Sequence, residues 1–450
     1  MKYTDVFVIG GSAAGVVAAT TAKNHTPEKK VILARLEEKV MVPCGIPYIF
    51  GSLDNSSKNI MPDTGINKAG VELIIDEVVS INETEKFCTM KSGETIFFDK
   101  LIIATGSRPT EPKWLEGREL DNVYYIFKNK VYLDKFNNNL KSLNNIVVIG
   151  GGFIGVEMSD ELKKAGKNVT LVEMQETILS LAFDKEVALE VEEIVKEEGV
   201  NLITGNGISK IIGKNGKVSS VELQDGTIIE ADAVILATGY SPNTKLAESI
   251  GLNLNRKGFI KVDEYMRTDI KDIFAVGDCA EKRDFFTRRS SGAMLASIAT
   301  AEARVAAMNL YKLSTLKTLS GTITIFATAM NGKGFGSAGL TEAQARAEGF
   351  NVVTGTFTGM DKHPGTLPGT SKQLIKLIAS KETGIILGGE VIGGMSAGEI
   401  TNIIGFIIQN RMTINALLTA QIGTHPLLTG SPVQYSLIKA AEIVVKKINA

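Results

Sequence analysis

The sequence predicts an α/β fold with two Rossmann-like dinucleotide-binding domains, followed by a C-terminal α+β domain. A β-α-β pattern with a glycine-rich turn occurs at residues 5–33 and again at residues 145–173. After about Lys317 the pattern changes to alternating apolar strands, followed by two helical stretches and no further nucleotide motif. We therefore expect two nucleotide-binding domains and a third domain of a different type.

Each β-α-β unit begins with a short apolar strand that ends in glycine. The first unit consists of a strand, a helix of small residues and a second strand, at residues 5–9, 13–22 and 31–33. The second unit has the same three parts, at residues 145–149, 153–164 and 168–173. Further strand-and-turn segments follow at residues 100–109, 232–242 and 272–280, and a helix is expected near residues 295–310. This order is typical of a chain that folds twice around a nucleotide.

The composition excludes several classes of function. The chain has 450 residues, of which 44% are hydrophobic and 22% are charged, as in an ordinary globular protein. The net charge of −1 gives no electrostatic reason to expect nucleic acid or a membrane as a partner. No apolar run approaches the ~20 residues that a membrane-spanning helix needs. The early first strand leaves no room for a signal peptide, and three distant cysteines indicate neither a disulfide framework nor a metal site, so we expect a cytoplasmic protein without a metal.

The second glycine-rich turn predicts an NADH site. Gly150 permits the tight turn, Gly152 lets a pyrophosphate approach the backbone, and Gly155 allows the helix to pack on the strand. The positive end of the helix then faces the phosphates. Glu173, at the end of the next strand, can accept hydrogen bonds from the adenosine ribose and would repel a 2′-phosphate. NADPH is therefore the less favoured nucleotide.

The first turn predicts a flavin nucleotide site of less regular sequence. It runs from Gly10 to Gly15, with Ser12 where a second glycine is usual. Ala34 and Arg35 occupy the place of a ribose-binding acid, for which Glu37 is the nearest replacement. Further along, an apolar strand ends in Gly277 and Asp278, which puts a carboxylate at a helix start, where it can bind a ribityl hydroxyl.

Cys44 is the most informative single residue. It lies in the segment VPCGIPY at residues 42–48, soon after the first glycine-rich turn. A lone cysteine at this distance is typical of the redox sulfur of a nucleotide-dependent flavoenzyme. Backbone amides at a helix start before Pro47 would favour its thiolate. Cys88, in a predicted strand, and Cys279 are expected to be inert.

The segments Ala104–Gly106, Ala237–Gly239 and Ala275–Asp278, in this order around the two β-α-β units, resemble the FAD-dependent pyridine nucleotide-disulfide oxidoreductases over nearly the whole chain. The resemblance implies a homodimer with a discontinuous FAD domain, an NAD domain and a dimerisation domain, at residues 1–118 with 246–317, 119–245 and 318–450. It also implies a set of cofactor-binding residues: Gly10, Ser12, Ala13, Ala14, Gly15, Arg35, Pro43, Val78, Thr105, Gly106, Gly150, Gly152, Phe153, Ile154, Gly155, Glu157, Glu173, Gly239, Asp278 and Ala296.

The segment around Cys44 is similar to the single-cysteine branch of that family. This branch includes coenzyme A-disulfide reductases, NAD(P)H sulfur or persulfide reductases, and NADH oxidases and peroxidases. Branch members that reduce oxygen or peroxide have a histidine where this chain has Ala13, so the resemblance favours a sulfur acceptor. Ile49 replaces the second cysteine of the glutathione reductase branch.

The resemblance assigns roles to other side chains as well. His425, followed by Pro426, resembles the catalytic His-Pro of the two-cysteine reductases. It would reach the active site of the partner subunit and protonate the departing thiolate there, although Gly430 replaces the acid that orients such a histidine. Tyr48 would hydrogen-bond the sulfur or its substrate, or pack in the core. Phe153 matches an aromatic that covers the flavin until nicotinamide displaces it, and Glu157 would face the nicotinamide amide. His363 is a weaker candidate, and His25 is expected to be solvated.

We thus expect an NADH-dependent FAD enzyme that reduces a disulfide, persulfide or polysulfide through Cys44, with Tyr48 and His425 assisting. Two enzymatic alternatives remain at this point: an NADH oxidase or peroxidase that uses a cysteine sulfenic acid, and a reductase that passes electrons to a small redox protein. A non-catalytic dimer that senses NADH is a third.

Overall fold

The computed structural model describes residues 1–318 and 320–450. The α-helices of these residues are α1 (Ala13–His25), α2 (Thr64–Ala69), α3 (Lys130–Leu140), α4 (Phe153–Lys164), α5 (Lys185–Glu197), α6 (Lys245–Ser249), α7 (Ala296–Met308), α8 (Glu342–Ala347), α9 (Ala397–Gln409), α10 (Ile414–Leu418) and α11 (Ser436–Ile448). The strands that precede α4 are β1 (Lys2–Ile9), β2 (Val31–Arg35), β3 (Glu72–Ile75), β4 (Val78–Asn82), β5 (Phe87–Met90), β6 (Thr95–Ile103), β7 (Ser107–Pro109), β8 (Val123–Tyr125) and β9 (Asn145–Ile149). The later strands are β10 (Asn168–Val172), β11 (Asn201–Ile203), β12 (Ile208–Lys214), β13 (Lys217–Leu223), β14 (Ile228–Glu230), β15 (Ala233–Leu236), β16 (Tyr240–Pro242), β17 (Ile273–Ala275), β18 (Lys282–Arg283), β19 (Ser290–Ser291), β20 (Ile325–Met330), β21 (Lys333–Gly339), β22 (Val352–Met360), β23 (Lys372–Ser380) and β24 (Ile386–Gly393).

The chain divides into two compact units, each made of three segments. The first unit holds Met1–Trp114, Tyr124–Leu143 and Thr238–Thr322. The second unit holds Leu115–Val123, Asn144–Ala237 and Ile323–Ala450. The three-domain boundaries drawn from the sequence remain a prediction.

The central sheet of the first unit brings the ends of four parallel strands to one edge. Its strand order is β3-β2-β1-β6-β5-β4, with β17 beside β6, and β1 runs parallel to both β2 and β6. Ile9 at the end of β1 is in register with Ala34 and Ile103, and β17 runs parallel to β6. The segments that follow these strands therefore lie side by side, as a nucleotide site at the carboxyl ends of parallel strands requires.

Helix α1 approaches this sheet closely because its buried face is made of alanine. Ala18, Ala19 and Ala22 are buried in one cluster with alanines of α7, including Ala299 and Ala303. Such small side chains let the two helices pack with little separation. The same buried cluster includes Val6 and Val8 of β1, so α1 also packs on the sheet.

The second unit repeats the parallel β-α-β arrangement and adds an antiparallel sheet. β9 runs parallel to β10 and β15, and β10 runs parallel to β11. The C-terminal segment of the unit forms a five-stranded antiparallel sheet in the order β20-β21-β24-β23-β22, against which α9 and α11 pack. The predicted β-α-β units and the α+β character of the C-terminal segment are thus present.

Several elements were not predicted. β12, β13 and β14 form a separate antiparallel sheet, and three helices, α9 to α11, follow the last strand rather than two. β21 has the sequence KGFGSAG, whose glycines do not indicate a strand. The reason for one of them is steric: a Cβ on Gly336 would lie 2.0 Å from Oγ1 of Thr401 in α9.

A buried ion pair joins two segments of the second unit. Lys376 on β23 is 1% exposed, and its Nζ donates a 2.8 Å hydrogen bond to Oδ2 of Asp184. Burial raises the pKa of Asp184, but the hydrogen bond from Lys376 and those from the amides of Glu342 and Ala343 outweigh burial and lower it overall. Glu390 beside them has a pKa raised to about 9, chiefly by burial, and is therefore neutral at pH 7.

We expect Lys376→Met to lower the free energy of unfolding by about 3–5 kcal/mol, because it leaves the buried carboxylate of Asp184 without its cation. Chemical denaturation of the FAD-loaded protein measures the change. Lys372→Met, an exposed site on the same strand, is the control and should change stability little. Equal effects of the two substitutions would show that the ion pair contributes nothing specific.

Candidate active site

The first glycine-rich loop is shaped by close backbone contacts. Gly10 has φ +110°, and a Cβ there would lie 2.1 Å from the carbonyl oxygen of Ala104. A Cβ on Gly15 would lie 1.7 Å from the carbonyl oxygen of Gly10. The side chain of Ser12, the N-cap of α1, makes no capping hydrogen bond, so it leaves the first-turn amides to a ligand. The loop and helix start therefore fit a pyrophosphate.

Asp278 lies beside the start of α1. A Cβ on Gly277, which has φ +77°, would lie 2.8 Å from Cβ of Ala14. Oδ2 of Asp278 accepts hydrogen bonds from Oγ of Ser107 at 2.7 Å and from Nζ of Lys128 at 3.1 Å. Burial raises the pKa of Asp278, but the charge of Lys128 and these hydrogen bonds lower it overall. An ionised carboxylate at this place fits the predicted contact with a ribityl hydroxyl.

Arg35 takes the position in the first unit that Glu173 takes in the second. The amide of Gly10 donates to the carbonyl of Ala34, just as that of Gly150 donates to the carbonyl of Val172, each at 2.8 Å. Arg35 is 4% exposed and makes a bidentate pair with Asp63, at 2.6 and 2.9 Å.

The guanidinium of Arg35 also donates to two backbone carbonyls, those of Glu37 and Glu38. A Cβ on Gly11 would lie 2.5 Å from Cδ of Arg35. Arg35 thus supports the loop from below, and its contact with a nucleotide remains a prediction. Glu37 enters this arrangement through its backbone carbonyl.

The second loop has the geometry expected of a pyridine nucleotide site. Gly150 has φ +108°, and a Cβ on Gly155 would lie 1.8 Å from the carbonyl oxygen of Gly150. Nothing lies within 4 Å of a Cβ built on Gly152, the N-cap of α4, so the backbone there is open to a ligand. Glu173 accepts the amide of Gly151 through Oε2 at 2.6 Å and that of Gln175 through Oε1 at 2.8 Å. This carboxylate stands at the loop, as ribose recognition requires.

Cys44 lies in a 3₁₀ turn rather than at the start of an α-helix. The turns Pro43–Gly45 and Pro47–Phe50 follow one another directly. Pro47 has no N–H with which to continue an α-helix, and the amide of Ile46 instead bonds the carbonyl of Pro43 at 3.3 Å. Cys44 is exposed in this turn, and Tyr48 is half-buried in the next one.

Asn59, a residue without any motif, holds the cysteine turn in place. It is 6% exposed, its Nδ2 donates to the carbonyl of Val42 at 3.0 Å, and its own carbonyl accepts the amide of Val42 at 2.9 Å. A Cβ on Gly45 would lie 2.0 Å from Oδ1 of Asn59. Glycine after Cys44 is therefore required by this contact.

The other two cysteines are buried. Cys88 and Cys279 are each 0% exposed, and burial raises the pKa of both thiols. A neutral, buried thiol is a poor nucleophile. Of the three cysteines, only Cys44 is exposed to a reagent or substrate.

Two histidines of the C-terminal segment lie on neighbouring loops. The amide of His363 donates to the carbonyl of Pro426 at 3.1 Å. Nδ1 of His363 is 3.0 Å from the carbonyl oxygen of Thr429, which can only accept, so Nδ1 carries the proton and Nε2 the lone pair. His425 is exposed, and its Nδ1 accepts the amide of Leu427 at 3.2 Å, so the neutral ring carries its proton on Nε2.

The remaining predicted residues lie in several different strands, helices and connecting segments of the two units. In the first unit, Thr105 donates through Oγ1 to the carbonyl of Asn243 at 2.6 Å, and the carbonyl of Gly106 accepts the amide of Asn243 at 2.9 Å. Val78 begins β4, Ala296 begins α7, and the carbonyl of Gly239 accepts the amide of Thr110.

In the second unit, Phe153 and Ile154 are the first two residues of α4, and both are half-buried. Glu157 lies one helical turn further along, where Oγ1 of Thr328 donates to its Oε1 at 2.7 Å.

Sequence reasoning missed the residues that support these groups. Asn59, Asp63, Lys128 and Thr328 each act on a residue distant in the chain, and no local motif marks them. The charges of Asp63 and Lys128 were the only signal, and surface charges are common.

Comparisons with known proteins bear on nearly the whole chain. Residues 4–303 match the family model described as pyridine nucleotide-disulphide oxidoreductase, and residues 327–435 match its dimerisation domain. The chain is 32% identical to an NAD(P)H coenzyme A polysulfide/persulfide reductase of Pyrococcus horikoshii, over 98% of each chain. It is 29% identical to an NADH oxidase of Methanocaldococcus jannaschii, over 98% of this chain and 99% of the other. A solved NAD-dependent persulfide reductase from A. fulgidus superposes with a TM-score of 0.90 at 28% identity, covering 99% of this chain and 84% of that one.

Among residues 1–318 and 320–450, none of the helices combines the length and apolar character needed to cross a membrane.

We expect iodoacetamide to alkylate Cys44 in the native protein and to leave Cys88 and Cys279 unmodified, because only the first thiol is exposed. Peptide mass spectrometry identifies the modified sites. In denaturant all three thiols should react, which serves as the control. Rapid native labelling of either buried cysteine would contradict the assignment.

Proposed function

Because this chain belongs to the pyridine nucleotide-disulphide oxidoreductase family, we propose that it is a FAD-dependent NADH reductase of a disulfide, persulfide or polysulfide. One observation carries the proposal: a single exposed cysteine stands in a turn held by Asn59, while the other two thiols are buried. The named relatives include persulfide and polysulfide reductases, which supports a sulfur acceptor.

The two glycine-rich loops bind and orient the nucleotides. The loop from Gly10 to Gly15, together with Asp278, would hold FAD, and the loop from Gly150 to Gly155, together with Glu173, would hold NADH. A bound FAD would supply the hydride-accepting group for NADH and the two electrons for sulfur chemistry. The carboxylate of Glu173 favours a ribose with free hydroxyls and opposes the 2′-phosphate of NADPH.

Cys44 supplies the nucleophile. Its thiolate attacks one sulfur of an acceptor RS–SR, the bond between the two acceptor sulfurs breaks, and a mixed disulfide Cys44–S–S–R forms as RS⁻ departs. Uptake of one proton converts RS⁻ to RSH. Two further electrons and a second proton then release the second RSH, so that NADH and one proton convert RS–SR into two thiols.

We assign to His425 the role of donating a proton to the departing thiolate. In the tautomer fixed by Leu427, its Nε2–H is a donor on an exposed ring. His363 presents the opposite arrangement, with an accepting Nε2, because Thr429 takes the Nδ1 proton. His425 would act from the partner subunit of a homodimer, which the match of residues 327–435 to a dimerisation domain supports. Tyr48, in the turn after Cys44, would hydrogen-bond the sulfur or its substrate.

A second candidate function is oxygen or peroxide reduction through a sulfenic acid on Cys44. The similarity to a protein named NADH oxidase favours it. Ala13 in the first loop favours the sulfur acceptor, since the oxygen- and peroxide-reducing branch members have a histidine there. We further propose a reducing cytoplasm as the setting, where exposed thiols persist.

We expect Cys44→Ser to abolish NADH turnover with coenzyme A disulfide, glutathione disulfide or polysulfide, because serine offers no comparable nucleophile. Turnover is followed as NADH absorbance, with FAD content as the control for folding. Oxygen and hydrogen peroxide are tested in parallel. Full activity of the variant with an electron carrier or with oxygen would remove Cys44 from the mechanism.

We expect His425→Gln to lower turnover with the sulfur acceptor by about 100-fold, through loss of the proton donor, while NADH still reduces bound FAD at the original rate. Stopped-flow absorbance separates the two half-reactions. His363→Gln is the matched control, because that ring lies on the neighbouring loop with its Nδ1 engaged by Thr429. A larger loss of turnover in His363→Gln than in His425→Gln would identify His363, and not His425, as the proton donor.

A further inference from the structure

Strand β20 makes two matched side-chain contacts with helix α4. The rings of Phe153 and Phe326 stack with centroids 4.8 Å apart and an interplanar angle of 23°. Oγ1 of Thr328 donates a 2.7 Å hydrogen bond to Oε1 of Glu157. Two strand residues span roughly 7 Å and four helix residues roughly 6 Å, so the two contacts are in register.

The helix residues in these contacts lie at the nucleotide loop. Phe153 follows Gly152 directly as the first residue of α4, and Glu157 is one turn further along the same face. Phe326 and Thr328, by contrast, belong to the edge strand of the C-terminal sheet and are distant in sequence from both nucleotide motifs. Residues 327–435, which match the dimerisation domain, include Thr328.

The hydrogen bond from Thr328 acts on a group whose charge is finely balanced. The pKa of Glu157 is raised to about 7, chiefly by burial and further by the nearby carboxylates of Glu161 and Asp160, although the hydrogen bond from Thr328 lowers it. Thr328 is 8% exposed, so water replaces its hydroxyl poorly. The strand thus controls both the orientation of the carboxylate and its ionisation.

We propose that Phe326 and Thr328 are positioning residues for the pyridine nucleotide. Thr328 fixes the Glu157 carboxylate beside the loop, and the stack with Phe326 holds the Phe153 ring in the displaced position that leaves room for nicotinamide, so that both side chains are preorganised for the nicotinamide end of NADH. This inference rests on the proposed function, which assigns NADH to the second loop. It adds that the affinity of that loop is set in part by a strand of the C-terminal sheet.

Binding of NAD⁺ to the FAD-loaded protein, measured by isothermal titration calorimetry, tests the inference without turnover. Thr328→Val should weaken binding about threefold to tenfold, the range for loss of one hydrogen bond, and Phe326→Leu should weaken it similarly. Thr328→Ser keeps the hydroxyl and should restore the affinity. Thr356→Val, at an exposed site on the opposite edge strand β22, should leave binding unchanged.

A double-mutant cycle tests whether Thr328 acts through Glu157. In a Glu157→Gln background, Thr328→Val should cause no further loss of NAD⁺ affinity. In steady state with a sulfur acceptor, Thr328→Val should raise KM for NADH, while Thr356→Val should leave it unchanged.

Three outcomes distinguish the two proposals. Unchanged NAD⁺ affinity in Thr328→Val and Phe326→Leu, with normal binding by the unsubstituted protein, would overturn the inference alone. Additive losses in the cycle would also overturn it, since Thr328 would then act independently of Glu157. An unsubstituted protein that binds no NAD⁺ would overturn the proposed function and the inference with it.

Discussion

Among the glycines of residues 1–318 and 320–450, those with the least room for a side chain lie where a helix packs on the turn before it. In both glycine-rich loops, the last glycine of the turn sits so close to the first that a Cβ would fall 1.7 or 1.8 Å from a carbonyl oxygen. This packing fixes the direction in which α1 and α4 point their first amides, and the direction decides where a phosphate can bind. The contacts that we propose for Asp278 and Glu173 with bound nucleotides depend on these helix starts being held in place.

The loops themselves were predictable because their constraints are local. A glycine that must adopt a positive φ or admit a neighbouring backbone leaves its mark within six residues of sequence. The supports of the site are a different matter. Arg35 meets Asp63 across 28 positions, Lys128 meets Asp278 across 150, and Thr328 meets Glu157 across 171. Such pairings depend on the tertiary fold, and neither residue type nor spacing announces them.

Two local expectations also differed from the structure, for physical reasons. The cysteine segment was expected to lie at a helix start, and the structure has there a 3₁₀ helix of only three residues, because Pro47 lacks the N–H needed to continue it as an α-helix. β21 was missed because its glycines weaken strand propensity, although one of them is needed where Thr401 approaches. In the first case the cause is the hydrogen-bond donor that Pro47 lacks. In the second case it is the close approach of Thr401, which leaves no room for a side chain at Gly336.

The compactness of the second unit has an electrostatic component. Asp184 lies between the second nucleotide-binding segment and the strands that match the dimerisation domain, and Lys376 of β23 neutralises it. Glu390, protonated at neutral pH, adds an acceptor for the amide of Asp184 without adding a charge. Lys376 also pairs with the more exposed carboxylates of Glu186 and Glu342, so a neutral Glu390 spares the buried lysine a further negative charge beside Asp184.

The burial of Cys88 and Cys279 has a chemical consequence for the catalytic cycle. A reductase with two adjacent exposed cysteines expels both halves of its acceptor and keeps an internal disulfide. In the mechanism proposed for this chain, neither buried sulfur can displace a thiol attached to Cys44, so the first half-reaction would leave half of the acceptor covalently on the enzyme. Between the two half-reactions of this proposed mechanism the protein is a thiol carrier, and its mass at that stage would report which thiol the acceptor supplied.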